Sequence, residues 1–467
     1  MRGIARPDLV EAVMTDESAA VADAVESTAL VRTIASIRER WRAIAESAHG
    51  AFVRGQSTEL SRREADRVRD EFAACIAGRG GDVSSRGRAA ALGQLYLGLG
   101  DPGRTAFLRI LAEYQPDGRA VAELAKMPSE ERAGAREHRL RDLRAALEPP
   151  AQRVFRQFNS LPAGIKFLVD LRADLLRFRE TDHALARLER DLHELLASWF
   201  DIGFLTLQRI TWDAPASLLE RLAGYEAVHE VRNWRDLKNR LDTDRRCYAF
   251  FHPLMPDEPL IFIEIALVSN VSESIAPLLD TAAPLENPRE ATTAIFYSIS
   301  NCQRGLAGIS FGNALIKRVV RDLAREFPQL RTFSTLSPIP GFLPWLSARE
   351  RPDAPLAVAL ARRGWYRDAS IVAAVREPLL RLCAHYLVEE RRQDGTVRDP
   401  VAHFHLSNGA RIERINWLGD CSAKGLRDSA GMMVNYLYRP EQIDDNHEAY
   451  TTSGKIAHSP AVATLLR

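Results

Sequence analysis

The chain has 467 residues, 46% hydrophobic and 27% charged, which is the profile of a soluble globular protein long enough for two domains. Its 63 Lys and Arg stand against 62 Asp and Glu, a net charge of +1 that argues against nucleic acid or an anionic membrane as the main partner. No apolar run approaches the length of a membrane span, so none is expected. The first residues hold the acidic Glu11, Asp16 and Glu17 and no apolar core, unlike a signal or transit peptide. The closing Leu465-Leu466-Arg467 is not a peroxisomal address. Five cysteines (Cys75, Cys247, Cys302, Cys383 and Cys421) lie scattered without a CxxC pair, which suits free thiols in a reducing compartment. Cytoplasm is the expected location.

Residues 1 to about 200 read as helix. Between Ser61 and Ala77, charges alternate with Val68, Phe72 and Cys75 at helical spacing. Between Thr181 and Phe200, Leu185, Leu188, Leu192, Leu195, Leu196 and Trp199 form one stripe, with Thr181 or Asp182 as N-cap. Such Arg- and Glu-rich striped helices imply a bundle that serves as a scaffold or an oligomer contact. His138, His183 and His193 sit among charges and are expected to be solvated. Nothing in this half points to catalysis.

The character changes after Phe200, where Trp212, Trp234 and several prolines mark a junction. Strands are expected over Cys247–His252, Leu260–Val268 and Thr292–Ser300. The last of these, TTAIFYSIS, runs into NCQRGLAGISFGN and then into ALIKRVVRDLAREF. The middle piece holds Gly305, Gly308 and Gly312, and the last places Leu315, Val319, Leu323 and Phe327 on one helical face. Strand, glycine-rich turn and helix N-terminus together offer backbone N–H groups and a positive dipole end, a cradle for a pyrophosphate over Gly305–Asn313. Neither GxxxxGK[ST] nor GxGxxG is present. Gly308-Ile309-Ser310-Phe311-Gly312 does match the GxSxG elbow of serine hydrolases, although too many residues separate it from the strand. A glycine-rich turn without a ligand is the third reading.

Downstream, Thr332–Leu336 forms a strand that ends near Ser337, because the prolines of Ser337-Pro338-Ile339-Pro340-Gly341 cannot continue a ladder. A helical segment is expected over Pro355–Glu390, and strands over His403–Leu406, Ile412–Trp417 and Met432–Tyr438. The second half is thus a mixed α/β domain. On a strand His403 and His405 would share a face. Two histidines at this spacing can ligate a metal, but no third ligand is near, so hydrogen-bonded imidazoles are the preferred reading. A second cluster that could carry chemistry runs from Asn416–Asp420 through Ser429–Gly431 to Asn435–Tyr438, with an ordinary strand and loop as the plain alternative.

Phe262–Val268, TTAIFYSIS, GLAGISFGNALIKRVV, LSPIPGF, DPVAHFHLSNGARIERINWLGD and SAGMMVNYLY, in this order, resemble the malonyl-CoA decarboxylase family. The match is strong from about residue 195 to 438. The resemblance implies an α+β protein: an all-helical N-terminal bundle over 1–195, for scaffold or oligomer contacts, then a GNAT-like mixed α/β catalytic domain over 196–467. It implies that CoA lies where two neighbouring strands diverge, with its pyrophosphate on the loop before the central helix. The malonyl-CoA-binding loop then maps to Ala307, Gly308, Ile309, Ser310, Phe311, Gly312 and Asn313. The family's catalytic serine and histidine fall on Ser337 and His405, and Tyr438 is a further active-site member. The implied reaction takes malonyl-CoA to acetyl-CoA and CO2 with no cofactor or metal, CoA being part of the substrate and the thioester its own electron sink. A GNAT-like acyltransferase and a catalytically silent acyl-CoA-binding regulator remain as alternatives. His405 suits the proton-donor role because the unperturbed pKa of histidine lies near 6.5. A homo-oligomer is implied by the family alone.

Overall fold

Helices in the first two hundred residues form where cap and stripe coincide. The computed structural model describes residues 32–42, 44, 59–126, 133–309, 312–349 and 354–467. Its contacts fall into two units: residues up to 205 with 252–258 and 303–309, and residues 206–251, 259–302 and 310–467. In the first unit, Ser61 and Glu64 make a reciprocal capping box at the start of the helix Arg62–Ile76. Asp182, rather than Thr181, caps His183–Trp199 by accepting from the amides of Ala184 and Leu185. Leu185, Leu188, Leu192, Leu195 and Leu196 are buried as their spacing requires, while Trp199 is half-buried. The core of this bundle is aromatic. The Phe167 ring lies 4.8 Å from Trp41 and 4.9 Å from Phe158, and Phe107 meets Phe72 at 5.1 Å. His138 and His183 are exposed as expected, and His193 is half-buried. Glu11, Asp16 and Glu17 lie outside the described residues.

The strands are β1 (Thr206–Ile210), β2 (Arg245–His252), β3 (Met255–Val268), β4 (Thr293–Asn301), β5 (Thr332–Thr335), β6 (Ser337–Pro338), β7 (Arg411–Asn416) and β8 (Met433–Tyr438). They order as β1-β2-β3-β4-β5-β8-β6, with β7 also paired to β8. The β4–β5 pair is parallel, and parallel neighbours need a crossover, here the helix Gly312–Glu326. Leu315, Ile316, Val319, Val320 and Leu323 of that helix are buried, as the stripe dictates. Pairing between β4 and β5 runs from Thr293↔Thr332 to Phe296↔Thr335, and one more bond joins the Leu336 N–H to the Phe296 carbonyl. Beyond it β4 continues to Asn301 against β3, whereas the other strand turns off into β6. The parallel pair therefore parts at this point.

Two expectations need correction. The segment Pro355–Glu390 is two helices, Pro355–Leu360 and Ala369–Val388, separated at Gly364 by a tight turn. His403–Leu406 is not a strand. It lies in the helix Pro400–Ser407, which Asp399 caps and Pro400 starts with a pre-set φ. A helical bundle followed by a mixed sheet is otherwise what the chain forms, an α+β architecture. Among the described residues no helix is long and apolar enough to cross a membrane.

Candidate active site

Three side chains far apart in sequence converge in the second unit. Antiparallel pairing sets Ser337 of β6 opposite Val434 of β8 and Phe333 of β5 opposite Tyr438, which fixes the spacing of Ser337 and Tyr438 along one ladder. The helix Pro400–Ser407 brings His405 between them. Its Nε2 lies 3.1 Å from Ser337 Oγ and its Nδ1 lies 2.7 Å from the Tyr438 hydroxyl. The trio is dry: Ser337 is 5% exposed, His405 3% and Tyr438 1%. Tyr436 stacks on the His405 ring at 4.5 Å and 26°.

The proton order follows from counting donors. Ser337 Oγ donates to Thr335 Oγ1 at 2.9 Å, so its single proton is used there. His405 Nε2 must then carry the ring proton and donate to Ser337, which leaves Nδ1 to accept from Tyr438. The result is one directed chain, Tyr438 to His405 to Ser337 to Thr335. Burial pushes the His405 pKa down to about 3 and that of Tyr438 well above its ordinary value. This corrects the expectation of an imidazole titrating near 6.5: His405 is a neutral ring, both donor and acceptor.

That depression has a consequence for stability. Between about pH 6.5 and pH 3 the unfolded chain binds a proton at residue 405 that the folded chain does not. The associated stability is complete above about pH 6.5 and is lost as the pH falls toward the folded value. His229, pushed down to about 4 by burial, adds in the same direction. Scanning calorimetry is expected to show Tm falling through this window, with a shallower fall for His405→Asn. Parallel slopes for the two proteins would refute the assignment.

His403 takes no part in the trio. A helix turns its side chain about 200° from that of His405, and its Nδ1 bonds the Tyr450 hydroxyl at 2.8 Å. The two imidazoles share no face, contrary to expectation. Members of the second cluster, with Thr335, instead support the site. Asn435 donates to the Thr335 carbonyl at 2.6 Å and accepts from Asn416 at 2.8 Å, and Thr335 Oγ1 also accepts the Tyr436 N–H at 3.0 Å. Their role in a network was not legible in the sequence: all six residues of Met433–Tyr438 are buried, and the polar ones face other polar groups rather than solvent.

The glycine-rich loop belongs, up to Ile309, to the first unit. Arg304–Leu306 makes a single tight turn in which the amides of Leu306, Ala307 and Ile309 bond within the loop. The N–H of Gly308 donates to no protein acceptor among the described residues, and its φ of +80° suits glycine. Gly305 packs against the helix Gly164–Phe178: a Cβ there would lie 1.7 Å from the Val169 carbonyl oxygen. Arg172 of the same helix donates to the Gly305 carbonyl at 2.6 Å and is held by Glu189 at 2.8 Å. Ser310 and Phe311, and the side chain of Asn313, lie outside the described residues. The helix Gly312–Glu326 then begins in the second unit.

Residues 203–467 match the sequence model of the malonyl-CoA decarboxylase C-terminal domain, and residues 114–200 match that of the N-terminal domain. The mitochondrial malonyl-CoA decarboxylase of Mus musculus is 38% identical over 423 residues, 83% of this chain and 83% of its own. That of Anser anser anser is 40% identical over 357 residues, 69% of this chain and 71% of its own. The crystal structure of malonyl-CoA decarboxylase from Rhodopseudomonas palustris shares 42% identity with a TM-score of 0.80, covering 86% of this chain and 99% of that one. The chain belongs to the malonyl-CoA decarboxylase family.

Proposed function

We propose that the chain is a carboxy-lyase that converts malonyl-CoA to acetyl-CoA and CO2. The observation that carries this reading is the dry, directed Tyr438–His405–Ser337 chain in a member of this family. The bond between the malonyl methylene and its carboxylate breaks, CO2 leaves, and the electron pair passes to the α-carbon and the thioester oxygen. Ser337 Oγ delivers a proton to that carbon, His405 Nε2–H refills Ser337, and Tyr438 refills His405 at Nδ1. The starting order is restored when the Nδ1 proton returns to Tyr438, the Ser337 proton returns to Nε2, and solvent supplies one proton to Ser337 Oγ, one per turnover. Neutral donors in a water-excluded site act at low local dielectric, where a hydrogen bond to a developing oxyanion is worth about 3–4 kcal/mol. Proton transfer from a positioned group adds about 10²–10⁴-fold.

The loop Ala307–Asn313 is the proposed CoA-binding segment. The Gly308 N–H, which donates to no protein acceptor among the described residues, is the donor this reading assigns to phosphate. Cytoplasmic action agrees with five free thiols. Self-association belongs to the same proposal, on the strength of the family alone.

The deciding experiment is to incubate purified protein with malonyl-CoA alone and follow acetyl-CoA and CO2. Equal release of both is expected. Free CoA as product would instead indicate a hydrolase using Ser310, turnover only with an added amine an acyltransferase, and binding without turnover a silent regulator.

A further inference from the structure

Asp399 is wholly buried, six residues before His405, at the start of the helix Pro400–Ser407. Its Oδ1 accepts from the amides of Val401 and Ala402 at 3.0 and 2.9 Å, which caps the helix. Its Oδ2 accepts from the Tyr386 hydroxyl at 3.4 Å and lies against the backbone turn at Gly341. Gly341 closes the turn Ser337-Pro338-Ile339-Pro340-Gly341, four residues after Ser337. Only glycine lets that turn come so close: a Cβ there would lie 2.1 Å from the Tyr386 hydroxyl and 3.5 Å from Asp399 Oδ2. One carboxylate thus grips both segments that carry the facing pair, the helix of His405 and the turn of Ser337.

A cap alone does not require this placement. Asp117 and Asp368 cap their helices from exposed positions. Asp399 is enclosed, and among the described residues no cation lies within ion-pair distance of it. A buried carboxylate without a cation is destabilising unless its donors are fixed around it. Here those donors are two helix amides and one phenol, with the Gly341 turn packed against the second oxygen.

We propose that Asp399 is a positioning residue for catalysis, whose two oxygens hold the helix of His405 and the turn of Ser337 together and so set the contact between those two side chains. The kinetic part of this inference rests on the decarboxylase reading above; the geometric part does not. Asp399→Asn tests it. Asparagine is as good an N-cap as aspartate, but its amide nitrogen donates where the second carboxylate oxygen accepted from Tyr386 beside the Gly341 turn, so one of the two grips is lost. The expected result is a folded enzyme whose kcat for malonyl-CoA falls about 10–10²-fold, the scale of a small misplacement of reacting groups, with KM little changed. Nitrogen NMR of histidine-labelled protein supplies the readout independent of turnover: the ring signals of His405 should shift, and those of His403 should not. Unchanged His405 signals, or a rise in KM with intact kcat, would overturn the proposal. If the wild type fails to turn over malonyl-CoA, the decarboxylase reading falls and the NMR result alone judges the positioning role. Tyr386→Phe keeps the carboxylate and the cap while removing one donor. Should Asp399→Asn not fold, the same signals and the same kcat against KM comparison are read on that variant: a smaller shift in the same direction supports the proposal, and no shift overturns it.

Discussion

Replacement of His405 by asparagine is expected to lower kcat for malonyl-CoA by about 10²–10⁴-fold and to leave the Kd for CoA nearly unchanged. The ring is the middle link of the proposed relay, bonded on one side to Ser337 at 3.1 Å and on the other to Tyr438 at 2.7 Å. Asparagine can satisfy one of these partners but cannot exchange a proton between two opposed nitrogens. His403→Asn is the control. That residue sits on another face of the same helix and bonds Tyr450, so its loss removes a local contact and leaves the relay intact. Single-turnover formation of acetyl-CoA, with folding followed by circular dichroism, separates the two. Equal losses, or a full-speed His405→Asn enzyme, would sink the relay and make Tyr438 the next candidate.

Gly305→Ala is expected to be the most damaging change in the glycine-rich loop. The added methyl would sit 1.7 Å from the Val169 carbonyl oxygen and 2.6 Å from its carbon, both backbone atoms of the helix Gly164–Phe178. Helix backbone cannot step aside as a side-chain end can, so the loop must move and release its bond from Arg172. A loss of about 3 kcal/mol is expected, the upper end for overpacked sites, together with weaker CoA binding. Gly308→Ala meets nothing closer than His193 Nε2 at 3.7 Å and suffers only from its positive φ, so it should cost about 1 kcal/mol. Thermal denaturation and a CoA titration of both variants make the comparison. A Gly305→Ala protein with wild-type Tm and affinity would mean that this packing does not hold the loop.

Local elements were legible where a local cause exists. The stripe Leu185–Leu196 and the helix beginning at Gly312 announced themselves by period, and TTAIFYSIS by its β-branched run. The His403–Leu406 segment misled because four residues cannot distinguish a period of 2 from one of 3.6. Its Asp399-Pro400 start was the stronger signal and favours a helix. The trio was visible only through family resemblance. Ser337 and His405 are 68 residues apart and His405 and Tyr438 are 33 apart, separations to which no periodicity corresponds. The neutrality of His405 was equally hidden, since burial belongs to the assembled sheet and helix rather than to the residue. So was the reason for Gly305, because the carbonyl it must avoid lies in a helix far up the chain.

The place of β8 in the sheet bears on how the molecule is made. It is the last strand in the chain, yet β5, β6 and β7 all pair with it. As the polypeptide leaves the ribosome, those three wait with open hydrogen-bonding edges, a state prone to sticking to other chains. Such long-range closure belongs to the slow class of folding reactions. Because the same strand supplies Tyr438, the relay comes into being at the moment the exposed edges are covered. Enzymatic activity in a nascent preparation would therefore count finished molecules, and chaperone demand should peak just before Met433 emerges.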